Sequence, residues 1–216
     1  MKINIILFSF LFGLLLMSCD QQDTVVVIET DFGTMKAKLY DSTPGHRDNF
    51  IELAEKDFYD GLLFHRVMSG FMIQGGDPNS RNSPAGSPLG NGGPGYTIPA
   101  NIAAPHFRGT LAAARTPDNV NPNKESSGSQ FYIVHGTPIT KATLDGWARQ
   151  KGITYNEAQV AKYLEVGGTP QLDMDYTVFG ELIDGFDVLD KIAAVPKDGR
   201  DRPLQDVKMN VRITKG

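Results

Sequence analysis

Short runs of β-branched and aromatic residues recur along this chain, bounded by glycine, proline and other turn-forming residues, and they restrict the fold more than any other feature. Such runs predict short strands. We expect them at Thr24–Thr30, Thr34–Tyr40, Leu63–Gln74 (two short strands or one bent strand), Thr110–Ala114, Gln130–Val134, Thr177–Ile183 and Val207–Thr214. Many strands with few helices are typical of a β-barrel or a β-sandwich. The 216 residues leave room for one ample domain.

Two amphipathic helices are predicted beside these strands. The first is expected to begin at Pro44, with Thr43 as its N-cap, and to continue to about Phe58. The second is expected over Phe186–Ala194, because apolar residues recur along one face before a proline ends the helix.

A helical segment interrupts the strand pattern at about 138–170. From Leu144 onward, apolar residues recur at helical spacing. A second helix is indicated by Thr154-x-x-Glu157, which has the form of a capping box. We therefore expect a helical hairpin inserted into a β domain.

The amino terminus has the layout of a signal peptide. Lys2 is followed by a mostly apolar run that is too short to span a membrane comfortably, and this run ends at Leu16-Met17-Ser18-Cys19, which resembles a bacterial lipobox. We expect residues 1–18 to be a signal peptide, Cys19 to be the lipidation site, and residues 19–23 to be a lipidated tether. The alternative is an incidental cysteine in an ordinary signal peptide.

An anchor on Cys19 would place the protein in the cell envelope, attached to a membrane and facing the periplasm or the exterior, with the choice of membrane open. Cys19 is the only cysteine, so it can form no internal disulfide.

Several common kinds of functional site are not indicated by the sequence. The net charge of −4 argues against a nucleic-acid partner. The four histidines have no metal-ligand spacing, and Gly75-Gly76-Asp77 lacks the Lys-Ser/Thr of a phosphate loop. Gly128-Ser129-Gln130 lacks the second glycine of a nucleophile elbow. We therefore expect no metal, no cofactor and no covalent hydrolysis.

The segment Phe64–Asp77 has the sequence FHRVMSGFMIQGGD and closely resembles the signature of the cyclophilin family of peptidyl-prolyl cis-trans isomerases. Three later segments agree with the family in the expected order: Gly109–Arg115, Ser127–Tyr132, and Leu172–Asp173 leading to Val178–Glu181. The resemblance implies a mainly β fold for residues 24–216, namely a closed antiparallel eight-stranded cyclophilin-like barrel capped by two helices, with the helical hairpin as an addition.

The resemblance also implies an activity, the isomerisation of X–Pro bonds in exported chains. Rotation of this bond has a barrier near ~20 kcal/mol, and no bond has to break. A fixed hydrogen-bond donor that binds the twisted amide better than the planar one therefore accelerates it. By resemblance Arg66 is that donor, Gln74 orients Arg66, and Phe71 completes the catalytic set.

Further substrate contacts are implied by the same resemblance. An apolar pocket for the proline ring would be formed by Phe71, Met72, Phe131, Leu172 and Tyr176. The substrate backbone would be held by Ala114, Arg115 and Gln130. Tyr132 replaces a frequent phenylalanine and could add a hydroxyl to the pocket floor. Considered alone, Phe71, Met72 and Phe131 would instead be ordinary core residues, and only the extended motif favours the pocket.

Three further positions depart from residues that are frequent in the family. Arg115 stands where many eukaryotic members have asparagine, Tyr176 replaces a histidine, and Gln171 replaces the tryptophan that favours cyclosporin binding. A role of residue 115 through its backbone survives the change, whereas a weak response to cyclosporin is expected.

Two other functions remain open from the sequence. The barrel could be a binding module for proline-containing polypeptides, or the hairpin could dock on a partner, with catalysis incidental. The chain could also be a structural envelope lipoprotein, a hypothesis that rests on Cys19 alone. In each case we expect a monomer. Because the insertion ends just before Leu172, we expect the hairpin near the rim of the proline pocket.

Overall fold

The computed structural model of the chain describes residues 24–215. The strands are β1 (Thr24–Thr30), β2 (Gly33–Leu39), β3 (Leu62–Met68), β4 (Met72–Gly75), β5 (Thr97–Ile98), β6 (Thr110–Ala113), β7 (Ser126–Ser127), β8 (Phe131–Val134), β9 (Val178–Asp184) and β10 (Lys208–Lys215). The helices are α1 (Pro44–Glu55), α2 (Lys141–Lys151), α3 (Glu157–Val166) and α4 (Phe186–Ala193).

Eight of these strands close into one antiparallel barrel, in the order β1-β10-β3-β4-β8-β6-β9-β2. The short strands β5 and β7 pair with each other outside the barrel. β1 and β2 form the predicted hairpin, and its turn ends at Gly33, whose φ of +123° is a conformation that glycine adopts without strain. A closed barrel leaves no unpaired strand edge. The predicted closed eight-stranded antiparallel barrel is therefore confirmed.

The barrel interior is filled by alternate side chains of the strands and by one face of each of two helices. Helix α1 contributes Phe50, whose ring lies edge-on to that of Phe131 at 5.2 Å. Helix α4 contributes Leu189 and Ile192 to the same core. Because both helices bury their apolar faces against one barrel, the expectation of two capping helices is also confirmed.

Both ends of α1 differ in detail from the prediction. The helix ends at Glu55, earlier than the expected Phe58, and the side chain of Thr43 forms no capping hydrogen bond. Its hydroxyl donates instead to the carbonyl of Tyr40 at 3.3 Å. Pro44, which has no N–H to satisfy, begins the helix as expected.

The predicted helical hairpin is present as α2 and α3, but the predicted cap of α3 is wrong. The capping box is formed by Asn156 and Gln159, each side chain bonding to the other residue's backbone N–H at 2.9 and 3.0 Å. Thr154 precedes this N-cap and takes no part in it. An asparagine at the N-cap competes well with threonine, since its side chain accepts from the same orphan N–H groups.

The hairpin is attached to the barrel through a small core of its own. Leu144 and Tyr163 are fully buried and pack with Phe107, and the rings of Phe107 and Tyr163 are 4.6 Å apart. Phe107 precedes β6, so the hairpin is joined to the strand that leads to Ala114. The insertion therefore packs on the barrel next to the start of β6.

No helix between residues 24 and 215 is long and apolar enough to cross a membrane. The predicted signal peptide, 1–18, and the predicted lipidated tether with Cys19, 19–23, lie outside the described residues.

Candidate active site

A pocket of about 100 Å³ opens on the outer side of the β3, β4, β6 and β8 strands, and we call it the Arg66 pocket. Its lining consists of Arg66, Phe71, Met72, Gln74, Ala114, Arg115, Tyr132, Leu172 and Tyr176. All of these residues are members of the set predicted from the sequence. The predicted residues that the structure places elsewhere are Gln130 and Phe131.

Arg66 and Gln74 are brought together by the β3–β4 pairing. They face each other as partners in the antiparallel ladder, and the register shifts between Phe64 and Arg66. A bulge of this kind re-aims the side chains that follow it. The motif thus supplies both residues from one hairpin, which is why a continuous stretch of sequence identified them.

The Arg66 guanidinium is held loosely. One terminal nitrogen donates to the Met68 sulfur at 3.2 Å, and Nε lies 3.9 Å from an Asp201 carboxylate oxygen. The side chain is 42% exposed. Since a guanidinium has five N–H donors, most of them remain available to a ligand in the pocket.

Gln74 does not bond to Arg66 in this structure. Its amide nitrogen donates to the Gln130 side-chain oxygen at 3.1 Å. Gln130 in turn donates to the carbonyls of Gly90 and Gly92 at 2.9 and 2.7 Å. Gln130 therefore holds the 90–92 loop, which lines a larger neighbouring cavity of about 520 Å³ that Gln74 also lines.

The position of Phe131 corrects the sequence prediction. Side chains of β8 alternate, and Phe131 and Ile133 point into the barrel core while Tyr132 and Val134 face the cluster around the Arg66 pocket. Neighbouring residues in a strand cannot share a face. Of these two aromatic residues, only Tyr132 belongs to the pocket; the alternation along β8 could have shown that they do not share a face, but not which of them lines the pocket.

The apolar wall of the pocket combines tightly buried and half-buried side chains. Met72 and Tyr132 are almost completely buried, and the Tyr176 ring stands edge-on to Tyr132 at 5.8 Å. The Arg115 guanidinium lies over the Tyr176 ring at 4.7 Å, a cation–π arrangement. Arg115 Nε also donates to the Asp175 carbonyl at 2.7 Å. These contacts fix the Tyr176 side of the pocket.

Main-chain groups near the pocket differ in their availability. The Ala114 N–H donates to the Gln130 carbonyl, and the Ala114 carbonyl accepts from Ser127. Its backbone is thus fully used inside the protein. The Arg115 N–H and carbonyl make no backbone hydrogen bond within residues 24–215, so Arg115 is the neighbour that can offer its backbone to a ligand.

Two residues beneath the pocket were not assigned a role from the sequence. His106 lies 3.0 Å from the Tyr132 hydroxyl through Nε2 and 2.8 Å from an Asp173 carboxylate oxygen through Nδ1. His106 and Asp173 are 67 residues apart in the chain. No short motif links them, so only the folded structure shows their contact.

The part of the chain that the structure describes contains no group of three or more His, Cys, Asp or Glu residues able to hold a metal ion. Burial lowers the pKa of His46 and of His65 to about 4. Both imidazoles are therefore neutral at physiological pH, and neither is part of the Arg66 pocket.

Comparison with known proteins places this chain in a family. Residues 25–213 match the family model described as "Cyclophilin type peptidyl-prolyl cis-trans isomerase/CLD". A Staphylococcus aureus protein provisionally named as a peptidyl-prolyl cis-trans isomerase is 35% identical over 193 residues, which are 87% of this chain and 89% of that protein.

A Streptococcus pyogenes protein provisionally named as a bifunctional phosphatase/peptidyl-prolyl cis-trans isomerase is 38% identical over 189 residues. The match covers 84% of this chain but 37% of that protein, so this chain spans little more than a third of that relative.

Among solved structures, a Cryptosporidium parvum cyclophilin type peptidyl-prolyl cis-trans isomerase superposes with a TM-score of 0.64 at 25% identity, covering 90% of this chain and 99% of that one. A second structure of the same Cryptosporidium protein, in the presence of the dipeptide Ala-Pro, shares the fold with a TM-score of 0.63 at 24% identity, covering 89% of this chain and 99% of that one.

Proposed function

The chain belongs to the cyclophilin-type peptidyl-prolyl cis-trans isomerases, and we propose that it isomerises X–Pro bonds at the Arg66 pocket. The observation that carries this assignment is the convergence of a loosely held guanidinium and a small apolar pocket on one face of the barrel. An X–Pro amide presents an apolar ring beside a polar carbonyl. The apolar lining of the pocket suits the ring, and the Arg66 guanidinium suits the polar amide.

The chemistry requires that the enzyme favour a twisted amide. In the twisted state the nitrogen recovers its lone pair and the C–N bond loses its double-bond character. Arg66 donates to the substrate through a guanidinium, a group that proteins keep charged. A donor that contacts the twisted state better than the planar one lowers the barrier, because only interactions that strengthen in the transition state accelerate a reaction.

The apolar wall binds the proline ring while the rest of the amide rotates. Phe71, Met72, Leu172 and Tyr176 surround the ring, and Tyr132 forms the floor. The backbone of the neighbouring arginine, residue 115, holds the peptide on one side of the ring. No proton transfer and no covalent intermediate is needed.

Gln74 acts indirectly in this proposal. Its side chain bonds to Gln130 at 3.1 Å, and Gln130 holds the 90–92 loop. Through Gln130, Gln74 therefore keeps the 90–92 loop in place beside the pocket.

The test is the cis-to-trans conversion of a proline tetrapeptide by the wild type and by Arg66→Ala. We expect the wild type to accelerate it and the variant to lose about 100-fold in kcat/KM, the effect typical of removing one fixed donor to a transition state. Arg47→Ala, which removes a surface arginine paired with Asp41 and Asp48, is the control. Comparable rates for wild type and Arg66→Ala would refute the mechanism, and binding of the peptide without catalysis would identify a binding module.

We also propose that the protein assists the folding of exported proteins as a monomer attached to a membrane through Cys19. The support is the apolar amino-terminal run and the single cysteine at its end. Two or more acyl chains would hold the protein firmly, at about 0.8 kcal/mol per buried CH₂. We expect full-length protein to fractionate with membranes and Cys19→Ser to appear in the soluble fraction. Ser18→Ala, which keeps a small residue before the cysteine, is the matched control.

A further inference from the structure

The buried carboxylate of Asp173 lies under the Arg66 pocket and accepts hydrogen bonds from His106 and from two residues of the helical insertion. One Asp173 oxygen accepts from the His106 backbone N–H and from His106 Nδ1, both at 2.8 Å. The other accepts from the hydroxyls of Tyr155 and Tyr163 at 2.6 and 2.7 Å. Asp173 is 3% exposed. Four hydrogen bonds therefore satisfy the carboxylate, and two of them come from the helical insertion.

These contacts define which nitrogen of His106 carries a hydrogen. A carboxylate oxygen only accepts hydrogen bonds, so Nδ1 is the donor to Asp173, and in the neutral imidazole Nε2 is left as an acceptor. Burial raises the pKa of Tyr132 well above its ordinary value, so its hydroxyl keeps its hydrogen. The Tyr132 O–H then donates to Nε2 of the neutral imidazole, 3.0 Å away.

This hydrogen bond determines what the pocket presents to a ligand, because it occupies the Tyr132 hydroxyl. The Tyr132 hydroxyl contacts His106, and the two rings are nearly parallel, with their centroids 6.1 Å apart and an angle of 12° between their planes. The pocket therefore has the tyrosine ring as its floor, with the polar hydroxyl occupied beneath it. A hydroxyl released from His106 would face an apolar ligand without a partner, which is unfavourable.

The helical insertion contacts the segment Asp173–Asp175, which lies under the pocket floor. Burial and the neighbouring carboxylate raise the pKa of Tyr155 and Tyr163, so both remain hydrogen-bond donors. Lys151 of α2 donates to the Asp173 carbonyl at 2.9 Å and also pairs with the Asp175 carboxylate. The pocket residue Leu172 comes just before this segment.

We propose that Asp173 is a positioning residue for isomerisation: through His106 it holds Tyr132 as an apolar floor for the proline ring, and the helical insertion sustains it through Tyr155 and Tyr163. This inference rests on the proposed use of the Arg66 pocket. It gives the insertion a role in the reaction, namely to hold the pocket floor in one orientation.

The experiment compares Asp173→Ala, Tyr132→Phe and the double variant in the tetrapeptide assay. Tyr132→Phe keeps the ring and removes the hydroxyl, so its own kcat/KM is the reference against which the double variant is compared. For Asp173→Ala we expect a loss of about tenfold, mainly through a higher KM. In the double variant no Tyr132 hydroxyl is left to lose its partner. Its kcat/KM should therefore be close to that of Tyr132→Phe alone, since coupled residues give non-additive effects.

Two further variants separate positioning from general stability. Asp173→Asn retains an oxygen that accepts from His106 and is expected to restore activity to within about twofold of wild type. Tyr59→Phe removes a buried hydroxyl that donates to the Ser129 carbonyl, outside this network, and should leave KM unchanged. If Asp173→Ala does not fold, His106→Phe, which removes the acceptor of the Tyr132 hydroxyl, takes its place in the same cycle.

An equal loss from Asp173→Ala in the wild-type and Tyr132→Phe backgrounds, or no loss in either, would overturn the positioning role. An inactive wild type would instead overturn the proposed use of the pocket, so the two failures are distinguishable. As a test of the insertion, Tyr163→Phe should raise KM in the same direction as Asp173→Ala, and an unchanged KM would show that the hairpin does not support the floor.

Discussion

Phe131 and Tyr132 are consecutive residues of β8, yet their side chains lie on opposite faces of the barrel wall. Phe131 packs against Phe50, Tyr59 and Phe64 in the barrel core, whereas Tyr132 forms the floor of the Arg66 pocket. The same short strand therefore contributes one residue to the core and the next to the pocket, and substitutions at the two positions should have different consequences.

Replacing Phe131 by alanine should destabilise the protein. The side chain is 1% exposed, and truncation of a buried phenylalanine leaves a cavity that costs about 3–5 kcal/mol. We expect this decrease in the free energy of unfolding by urea denaturation, with a KM close to wild type under conditions where the variant is folded. A selective rise in KM without loss of stability would place Phe131 in the pocket after all.

Replacing Arg66 by lysine should remove most of the catalysis although the charge is kept. Lysine has no rigid fork of donors, so it cannot hold the rotating amide in the same geometry. We expect kcat/KM to fall nearly as far as in Arg66→Ala. The comparison with Arg47→Lys, a conservative change at a surface ion pair, controls for general effects, and full activity of Arg66→Lys would mean that charge alone suffices.

Replacing Gln130 by alanine should loosen the 90–92 loop. The Gln130 residue is 5% exposed, and its side chain forms three hydrogen bonds, one with Gln74 and two with loop carbonyls. Leaving such partners unsatisfied costs about 1–3 kcal/mol each when they are buried. We predict a higher KM for peptides that extend beyond the proline ring, measured over a length series. A KM that is unchanged at every length would contradict this role.

Replacing Asn156 by alanine should destabilise the insertion. The Asn156 side chain caps α3, and loss of such a cap costs about 0.5–2 kcal/mol. Hydrogen exchange of the α3 amides should become faster while the barrel strands keep their protection. Thr154→Ala is the matched control, because Thr154 makes no capping bond, and equal effects of the two substitutions would refute the assignment of the cap.

Acidification should destabilise the fold through His46 and His65. Burial lowers the folded-state pKa of each to about 4, below the unfolded value near 6.5. Since the unfolded chain binds the proton more tightly, stability is complete above about pH 6.5 and falls as the pH decreases toward about 4. Each histidine accounts for roughly 3 kcal/mol at the low end of that window.

The same pH dependence can be traced to one residue by mutation. His46 bonds to the Ser126 hydroxyl through Nε2 at 2.9 Å, and glutamine can replace this bond without titrating. Urea denaturation of His46→Gln at about pH 7, above the window in which the imidazole titrates, and at about pH 4.5, near its low end, should show a smaller loss of stability on acidification than in the wild type. An identical loss in both proteins would mean that His46 does not contribute.

Much of this protein follows from local sequence alone. The strand alternation and the turn residues determine the short strands, and the FHRVMSGFMIQGGD segment places Arg66, Phe71, Met72 and Gln74 on one hairpin, because all four are close in the chain. The family resemblance extended the prediction to most of the pocket.

What depends on contacts between distant segments was decided only by the tertiary structure. The face on which Phe131 lies depends on how β8 pairs with β4 and β6. The capping box of α3 is formed by Asn156 and Gln159 and not by Thr154 and Glu157, because the helix begins at Glu157 and Asn156 is therefore its N-cap. The union of Tyr132, His106, Asp173 and Tyr163 required the barrel to close and the hairpin to dock, since burial in a shared core brings together residues that no local pattern connects.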